Sequence, residues 1–209
     1  MPFNIEIIRM PPANTNSILI DNGTDAVVFD PWGSAADWQK LLADRGLNLH
    51  AFYVTHGHYD HMSAIPKMNA PWHLHHADLS IIKWNNPILL VQGHGMIDTR
   101  KNPPKDIAPG DTEILPGLSA AAIHTPGHSA GGVCFYIPAL SALITGDTLF
   151  YDTVGRWDVP GASERHLRES VRTLSSGNFP DDTLVIPGHG RTGTFSDIKK
   201  SNTFVKSWT

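Results

Sequence analysis

The chain has 209 residues, and its 41% of hydrophobic residues are enough to bury a substantial core. Its 16 lysines and arginines stand against 20 aspartates and glutamates, and this balance argues against a nucleic-acid partner because phosphate contacts require a basic face. The sequence has neither an apolar run long enough to span a membrane nor the pattern of a signal peptide. We therefore expect one cytoplasmic domain over residues 1–209 with a small-molecule substrate and no membrane partner. Its oligomeric state stays open.

Short runs rich in β-branched residues predict strands along most of the chain. Helical patterns separate several of these runs, and such an order is typical of an α/β fold in which helices cover paired sheets. The predicted strands are residues 5–8, 17–20, 26–29, 51–54, 120–124, 133–137, 142–145 and 183–186.

Helix signals lie between the strands. Ser34 is a candidate cap for a helix over Ala35–Asp44, and a second helix after Ser163 presents one apolar face made of Leu167, Val171 and Leu174. Weaker helical patterns cover residues 77–84 and 195–206. Residues 85–110 contain four prolines and are predicted to be irregular, either as a cap over a pocket or as an ordinary surface connection.

The stretch THGHYDH, residues 55–61, follows the predicted strand 51–54 and gathers three histidines and an aspartate. Residues two apart in an extended segment point the same way, so His56 and His58 can converge on one metal ion. Asp60 and His61 come after the turn and can face a neighbouring ion. The alternative is a polar turn that happens to be rich in histidine.

Three other predicted strands are also followed by a turn and a residue that can bind metal. This repetition disfavours a polar turn that is rich in histidine by chance. They lead through HTPG to His128, through TG to Asp147 and through PG to His189. Glycine turns let such loops approach a common point. The resulting five imidazoles and two carboxylates suit zinc, iron or manganese better than calcium or magnesium, which prefer oxygen ligands.

The motifs THGHYDH, TPGHSAGG, ITGDTLF and IPGHG together resemble those of the metallo-β-lactamase superfamily over nearly the whole chain. The resemblance implies a four-layer αββα sandwich with two divalent metal ions, most simply zinc, at one edge. It implies one metal held by His56, His58 and His128, a second held by Asp60, His61 and His189, and Asp147 bridging both. True metallo-β-lactamases generally lack this bridge, so an antibiotic-hydrolysing role is disfavoured.

Within the superfamily, GDTLFYDTVGRWDVPGAS and PPKDIAPGDTEI are similar to the short glyoxalase II-like subgroup, whose members hydrolyse S-2-hydroxyacylglutathione thioesters. The resemblance implies that a hydroxide bridging two metals attacks the thioester carbonyl. The catalytic roles then fall to Asp60 and Asp147, while Tyr59 either donates a hydrogen bond to the oxyanion or packs at the rim. Longer members contact glutathione through a further helical region that is not expected here, so the thiol carrier stays open.

Other functions remain alternatives at this level. A persulfide dioxygenase with one iron ion shares similar motifs, and a lactone hydrolase can use the same dinuclear centre. A protein that binds metal without turnover belongs to a different class, but an open dinuclear site has little structural purpose beyond that of a closed site.

Several residues outside the motifs have alternative interpretations. Asp30 either orients a ligand histidine or forms a turn before proline. His94 is a candidate to line the pocket, and Arg156 is expected to pair with Asp158 and fix the loop after Asp147. The histidines at 73, 75 and 76 are interpreted as polar residues of a strand, and the candidate cations for a substrate carboxylate are Arg100, Lys101, Lys105 and Arg191.

Overall fold

The structure is a computed structural model that describes residues 2–209. The five α-helices in this range are α1 (Ala35–Asp44), α2 (Leu79–Val91), α3 (Glu164–Ser175), α4 (Phe195–Ser201) and α5 (Thr203–Trp208). The strands are β1 (Asn4–Ile8), β2 (Ser17–Asp21), β3 (Asp25–Phe29), β4 (Asn48–Tyr53), β5 (Trp72–His73), β6 (Gly110–Leu115), β7 (Leu118–His124), β8 (Val133–Ile137), β9 (Ala142–Gly146), β10 (Leu184–Pro187) and β11 (Gly193–Thr194). No helix within residues 2–209 combines the length and apolar character needed to cross a membrane.

The strands form two mixed sheets, with the orders β1-β2-β3-β4-β5 and β11-β10-β9-β8-β7-β6. In the second sheet β9 and β10 are parallel, and β7 runs in the same direction because both neighbours of β8 are antiparallel to it. The carboxyl ends of β7, β9 and β10 therefore meet at one edge. Thr55, two residues after β4 of the first sheet, joins the same edge, where its carbonyl accepts from the Val133 amide at 2.8 Å.

Three apolar layers hold the sheets and helices together. Between the sheets, Phe29 and Phe135 meet edge to face with ring centres 5.0 Å apart. The outer face of the first sheet packs Phe52 against Trp38 of α1, and the outer face of the second packs against α3. Because alternate residues of a strand point to opposite faces, each sheet supplies one inner and one outer apolar face. The predicted αββα sandwich is confirmed.

The helix caps follow the sequence prediction. The Ser34 side chain accepts a hydrogen bond from the Asp37 amide at 3.1 Å, and Ser163 accepts one from the His166 amide at 3.4 Å. Each oxygen satisfies an amide in the first turn that has no partner within its helix. The predicted helix over residues 195–206 is wrong as one element, because Asn202 ends α4 and caps α5 through the amides of Phe204 and Val205.

The largest difference from the sequence prediction lies in α2. The helix continues through Pro87 to Val91, so the expectation that residues 85–110 are irregular is wrong for their first part. Buried Ile82 and Leu89 anchor the helix on the first sheet, and packing of this kind outweighs the low helix propensity of proline. Strands β5, β6 and β11 were also not predicted, and two of them span only two residues each.

Candidate metal centre

Three imidazoles meet where the loop after β4 faces the loop after β7. The Nε2 atom of His56 lies 3.0 Å from Nδ1 of His58, and Nε2 of His128 lies 2.9 Å from the same Nδ1 atom. All three ligand atoms are within 4.8 Å of one another. We call His56, His58 and His128 the first ligand set, because three imidazole nitrogens at this spacing can surround one metal ion.

A second set forms beside the first. The Nε2 atom of His189 lies 3.2 Å from Oδ2 of Asp60, and Nε2 of His61 lies 3.9 Å from the same oxygen. We call Asp60, His61 and His189 the second ligand set. A Cβ atom at Gly188 would overlap Asp147 Oδ1 and lie 2.7 Å from the His61 ring, so only glycine lets the β10 loop approach this closely.

Asp147 lies between the two sets. Its Oδ2 atom is 3.6 Å from Nε2 of His128, and its Oδ1 atom is 3.6 Å from Nε2 of His61. Oδ2 also lies 3.9 Å from Nε2 of His189, so the Asp147 carboxylate faces histidines of both sets. The structure therefore brings all seven candidate ligands predicted from the sequence to the same edge of the sandwich.

The chemistry of this cluster fits a bound cation. The His61 Nε2 and Asp147 Oδ1 atoms are buried and have no hydrogen-bond partner within residues 2–209, which is uncommon for buried polar atoms. Burial favours a lower pKa for His61, but the carboxylates of Asp30, Asp60 and Asp147 outweigh it and raise the pKa to about 10. A position that stabilises positive charge so strongly suits a divalent metal ion that replaces the proton.

Two members of the first ligand set, His56 and His58, have pKa values shifted in the opposite direction. Burial, followed by the nearby His61 and His58, lowers the pKa of His56 well below its ordinary value. Burial and His128 lower the pKa of His58 to about 4. Both imidazoles are therefore neutral at neutral pH, and the neutral ring is the form that binds metal.

Hydrogen bonds behind the rings fix which nitrogen points into the cluster. His61 Nδ1 lies 2.9 Å from Asp30 Oδ2, and His128 Nδ1 lies 2.9 Å from the Arg156 carbonyl. Because these oxygens can only accept, each Nδ1 carries its proton and each Nε2 faces the cluster. The Thr55 hydroxyl, 3.1 Å from His56 Nδ1, donates in turn to Asp30 at 2.8 Å.

Asp30 therefore has both of the roles considered from the sequence. Its φ angle of 49° is the left-handed conformation of a turn, and its buried carboxylate holds the His61 ring. Two further residues that contact the ligand loops are not singled out from the sequence: Thr55, which links His56 to Asp30, and Asp78, whose side chain accepts from the Gly57 amide at 2.7 Å. Thr55 is the first residue of the THGHYDH motif, and this position is a usable signal, whereas Asp78 has no local signal.

Tyr59, which directly precedes Asp60, and His94 both pack against Trp32. The Tyr59 ring packs edge-on against Trp32 with ring centres 6.2 Å apart, and His94 lies 5.4 Å from the same ring. Trp32 and His94 line a cavity of about 520 Å³ together with Met10, Pro11, Pro12, Gly33, Ser34 and Asp37. None of these lining residues is a candidate metal ligand, so a place for His94 in the substrate pocket stays a prediction. The packing of Tyr59 on Trp32 is that of an aromatic at the rim. Its role as a hydrogen-bond donor stays a prediction.

The Arg156–Asp158 pair is confirmed, with two hydrogen bonds of 2.9 and 3.1 Å. It lies in the loop whose Arg156 carbonyl accepts from His128, but both side chains are exposed, and exposed ion pairs contribute little to stability. Its role in fixing the loop stays a prediction. Among the candidate cations, Arg100 pairs with Asp98, while the Arg191 guanidinium lies 3.5 Å from the centre of the Tyr151 ring.

The histidines at 73, 75 and 76 are absent from the ligand sets found within residues 2–209. His73 stacks on Tyr53 with ring centres 4.3 Å apart, and His75 stacks on His124. The expected strand alternation is wrong beyond His73, because β5 ends there and His76 begins a 3-10 turn.

The pKa of His73 gives a testable pH dependence. Burial, with Lys105 and His50 adding repulsion, lowers it to about 4 from an ordinary value of 6.5. Between pH 4 and pH 6.5 the unfolded chain therefore binds more protons at His73 than the folded chain does. The contribution of neutral His73 to stability is complete above pH 6.5 and is lost as the pH falls towards 4. The variant His73→Phe can keep the stacking on Tyr53 but has no titrating ring. Between about pH 7.5 and about pH 5, its free energy of unfolding should fall by about 1 kcal/mol less than that of the wild type, after allowance for solvent screening. Urea unfolding of both proteins measures the difference, and equal losses would contradict the assignment.

An αββα sandwich with clustered histidines and aspartates at one edge defines a class of metal-dependent hydrolases. Residues 10–189 match the metallo-β-lactamase superfamily, and the chain belongs to that family. It is 31% identical over 211 residues to the hydroxyacylglutathione hydrolase GloC of Haemophilus influenzae, covering 98% of this chain and 99% of that protein.

Two solved structures are similar over nearly the full length. A di-iron-bound form of TTHA1623 has a TM-score of 0.80 and 31% identity, covering 95% of this chain and 99% of the other. The B3 metallo-β-lactamase BLEG-1 also has a TM-score of 0.80, with 26% identity, covering 97% of this chain and 99% of the other.

Proposed function

We propose that the chain is a dinuclear metal-dependent hydrolase that cleaves a thioester such as S-2-hydroxyacylglutathione. The observation that carries the proposal is the position of the Asp147 carboxylate, whose oxygens lie 3.6 Å from His61 Nε2 of the second ligand set and from His128 Nε2 of the first. The identity of 31% with GloC, a hydroxyacylglutathione hydrolase, supports the substrate class. Zinc is the proposed metal, and iron and manganese suit the same histidine and carboxylate ligands.

The first ligand set and the second ligand set would each hold one ion, with Asp147 shared between them. When bound, a pair of divalent ions supplies hydroxide at neutral pH and polarises a carbonyl group. Asp30 and the Arg156 carbonyl keep Nε2 of His61 and His128 directed at the cluster. The protein then acts mainly by positioning the metal ligands and the substrate, because this reaction requires no protein nucleophile.

A thioester makes modest demands on the surrounding side chains. The thiolate leaves without a proton donor, since the thiol is a far stronger acid than an alcohol. Tyr59, next to Asp60, is proposed either to donate to the developing oxyanion or to form the rim of the site. An apolar part of the substrate is proposed to enter the cavity lined by Trp32 and Met10, which is linked to the ligand loop through the contact of Trp32 with Tyr59.

The decisive experiment combines metal analysis with a small substrate panel. We expect about two metal ions per chain after loading with zinc, and hydrolysis of S-lactoylglutathione that chelator treatment abolishes and zinc restores. One iron per chain with oxygen uptake on glutathione persulfide would replace the proposal with a dioxygenase. Hydrolysis of lactones alone would indicate a lactone hydrolase. No turnover of any of the three at full metal loading would indicate a non-catalytic metal-binding protein.

A further inference from the structure

Asp78 is a fully buried carboxylate at the amino terminus of α2. At this position an aspartate usually accepts a hydrogen bond from the first turn of its own helix. The Asp78 side chain makes no such bond. It accepts instead from the Gly57 amide at 2.7 Å, the Ser129 hydroxyl at 2.7 Å and the Gly131 amide at 2.5 Å. Its partners therefore lie outside the helix that it begins.

These three donors belong to the two loops that form the first ligand set. Gly57 lies between His56 and His58, and Ser129 directly follows His128. Asp78 belongs to neither loop. Hydrogen bonds to a carboxylate are stronger and shorter than those between neutral groups, so this one side chain can fix the distance between the two loops.

The close approach of the two loops to Asp78 leaves little room for a side chain at two glycines. A Cβ atom at Gly57 would lie 3.0 Å from the Asp78 Cβ, and one at Gly131 would lie 2.7 Å from the Asp78 Cγ. Asn85, two turns further along α2, donates from its side chain to the Gly57 carbonyl. The peptide groups on both sides of Gly57 are thus held: Asp78 binds the N–H and Asn85 binds the C=O.

We propose that Asp78 is a positioning residue for the first ligand set, which keeps the His56–His58 loop and the His128 loop at the spacing that one metal ion requires. Asp78 acts through the backbone and through Ser129. This inference depends on the proposed metal site and not on the identity of the substrate.

The substitution Asp78→Asn tests the proposal. Asparagine has the same shape but only one acceptor oxygen, and its NH₂ group must face at least one of the donors. We expect the affinity of the full chain for zinc, measured by competition with a chelator, to fall about 10- to 100-fold, as is typical when a supporting partner of metal ligands is lost. The visible absorption bands of bound cobalt at saturation should also change, because they report the geometry around the ion. A residue needed only for stability would leave these bands unchanged.

Asp106→Asn is the matched control. This exposed carboxylate accepts from the His76 amide at 2.8 Å just before α2 and has no hydrogen bond to either loop, so we expect wild-type affinity and bands. A folded Asp78→Asn protein with wild-type affinity and bands would overturn the inference. A wild-type chain that binds no zinc would overturn the metal site and this inference together.

If Asp78→Asn does not fold, Ser129→Ala provides the test. It deletes one of the three hydrogen bonds and keeps the buried charge. We expect an affinity loss of about two- to tenfold, in line with the net contribution of a single hydrogen bond. An unchanged affinity in this variant would equally overturn the inference.

Discussion

Replacing Asp147 with alanine is expected to lower kcat/KM for S-lactoylglutathione by more than about 100-fold, which exceeds the loss typical of a residue behind the ligands. The reason is that its two oxygens lie 3.6 Å from His61 Nε2 and from His128 Nε2, so the substitution removes a group common to both ligand sets. Steady-state hydrolysis by zinc-loaded protein, together with the zinc content per chain, measures the effect.

Asp152→Ala is the appropriate comparison, because Asp152 lies in the same loop but is exposed. We expect this protein to retain wild-type activity and metal content. Equal rates for wild-type protein and Asp147→Ala would reject the dinuclear mechanism.

Asp30→Asn is expected to weaken the second ligand set more than the first, which Asp30 reaches only through the Thr55 hydroxyl. The Asp30 carboxylate accepts from the Thr55 amide at 2.7 Å and lies 2.9 Å from His61 Nδ1. If the asparagine oxygen keeps the Thr55 amide, its NH₂ group faces His61 and donates to Nδ1. The His61 proton then moves to Nε2, and that nitrogen can no longer bind metal.

We therefore expect about one zinc ion per chain in Asp30→Asn at a free zinc concentration that gives about two in the wild type, and an affinity loss of about 10- to 100-fold at the weaker position. Elemental analysis after equilibrium dialysis measures the stoichiometry. Asp25→Asn, at the start of the same strand and away from the site, should bind zinc as the wild type does. Two ions of undiminished affinity in Asp30→Asn would show that the ring orientation of His61 does not depend on this carboxylate.

Much of the candidate site was accessible from sequence because each candidate ligand lies just after a recognisable strand. The strands before His128, Asp147 and His189 run in one direction, so an apolar run followed by a glycine turn was enough to predict convergence at one edge. His56 and His58 needed only the period of an extended segment. These signals are local, and a local pattern can be recognised without knowledge of the fold.

The supporting contacts could not be read in the same way. Asp30 and His61 are 31 positions apart, and Asp78 and Gly131 are 53 positions apart, so each partner becomes apparent only after the sheets and α2 have packed. The course of α2 through Pro87 has a similar origin, because burial of Ile82 and Leu89 overrides a local helix-breaking signal. Strands of two residues, such as β5, are too short to produce a periodic pattern.

Both ligand sets draw side chains from the two halves of the sandwich. His56 and His58 follow β4 of the first sheet while His128 follows β7 of the second, and the same division separates Asp60 and His61 from His189. Neither half alone supplies all the ligands of either set. A bound ion at either position would therefore act as a cross-link between the halves, and by mass action it would favour the assembled chain over one whose sheets have separated.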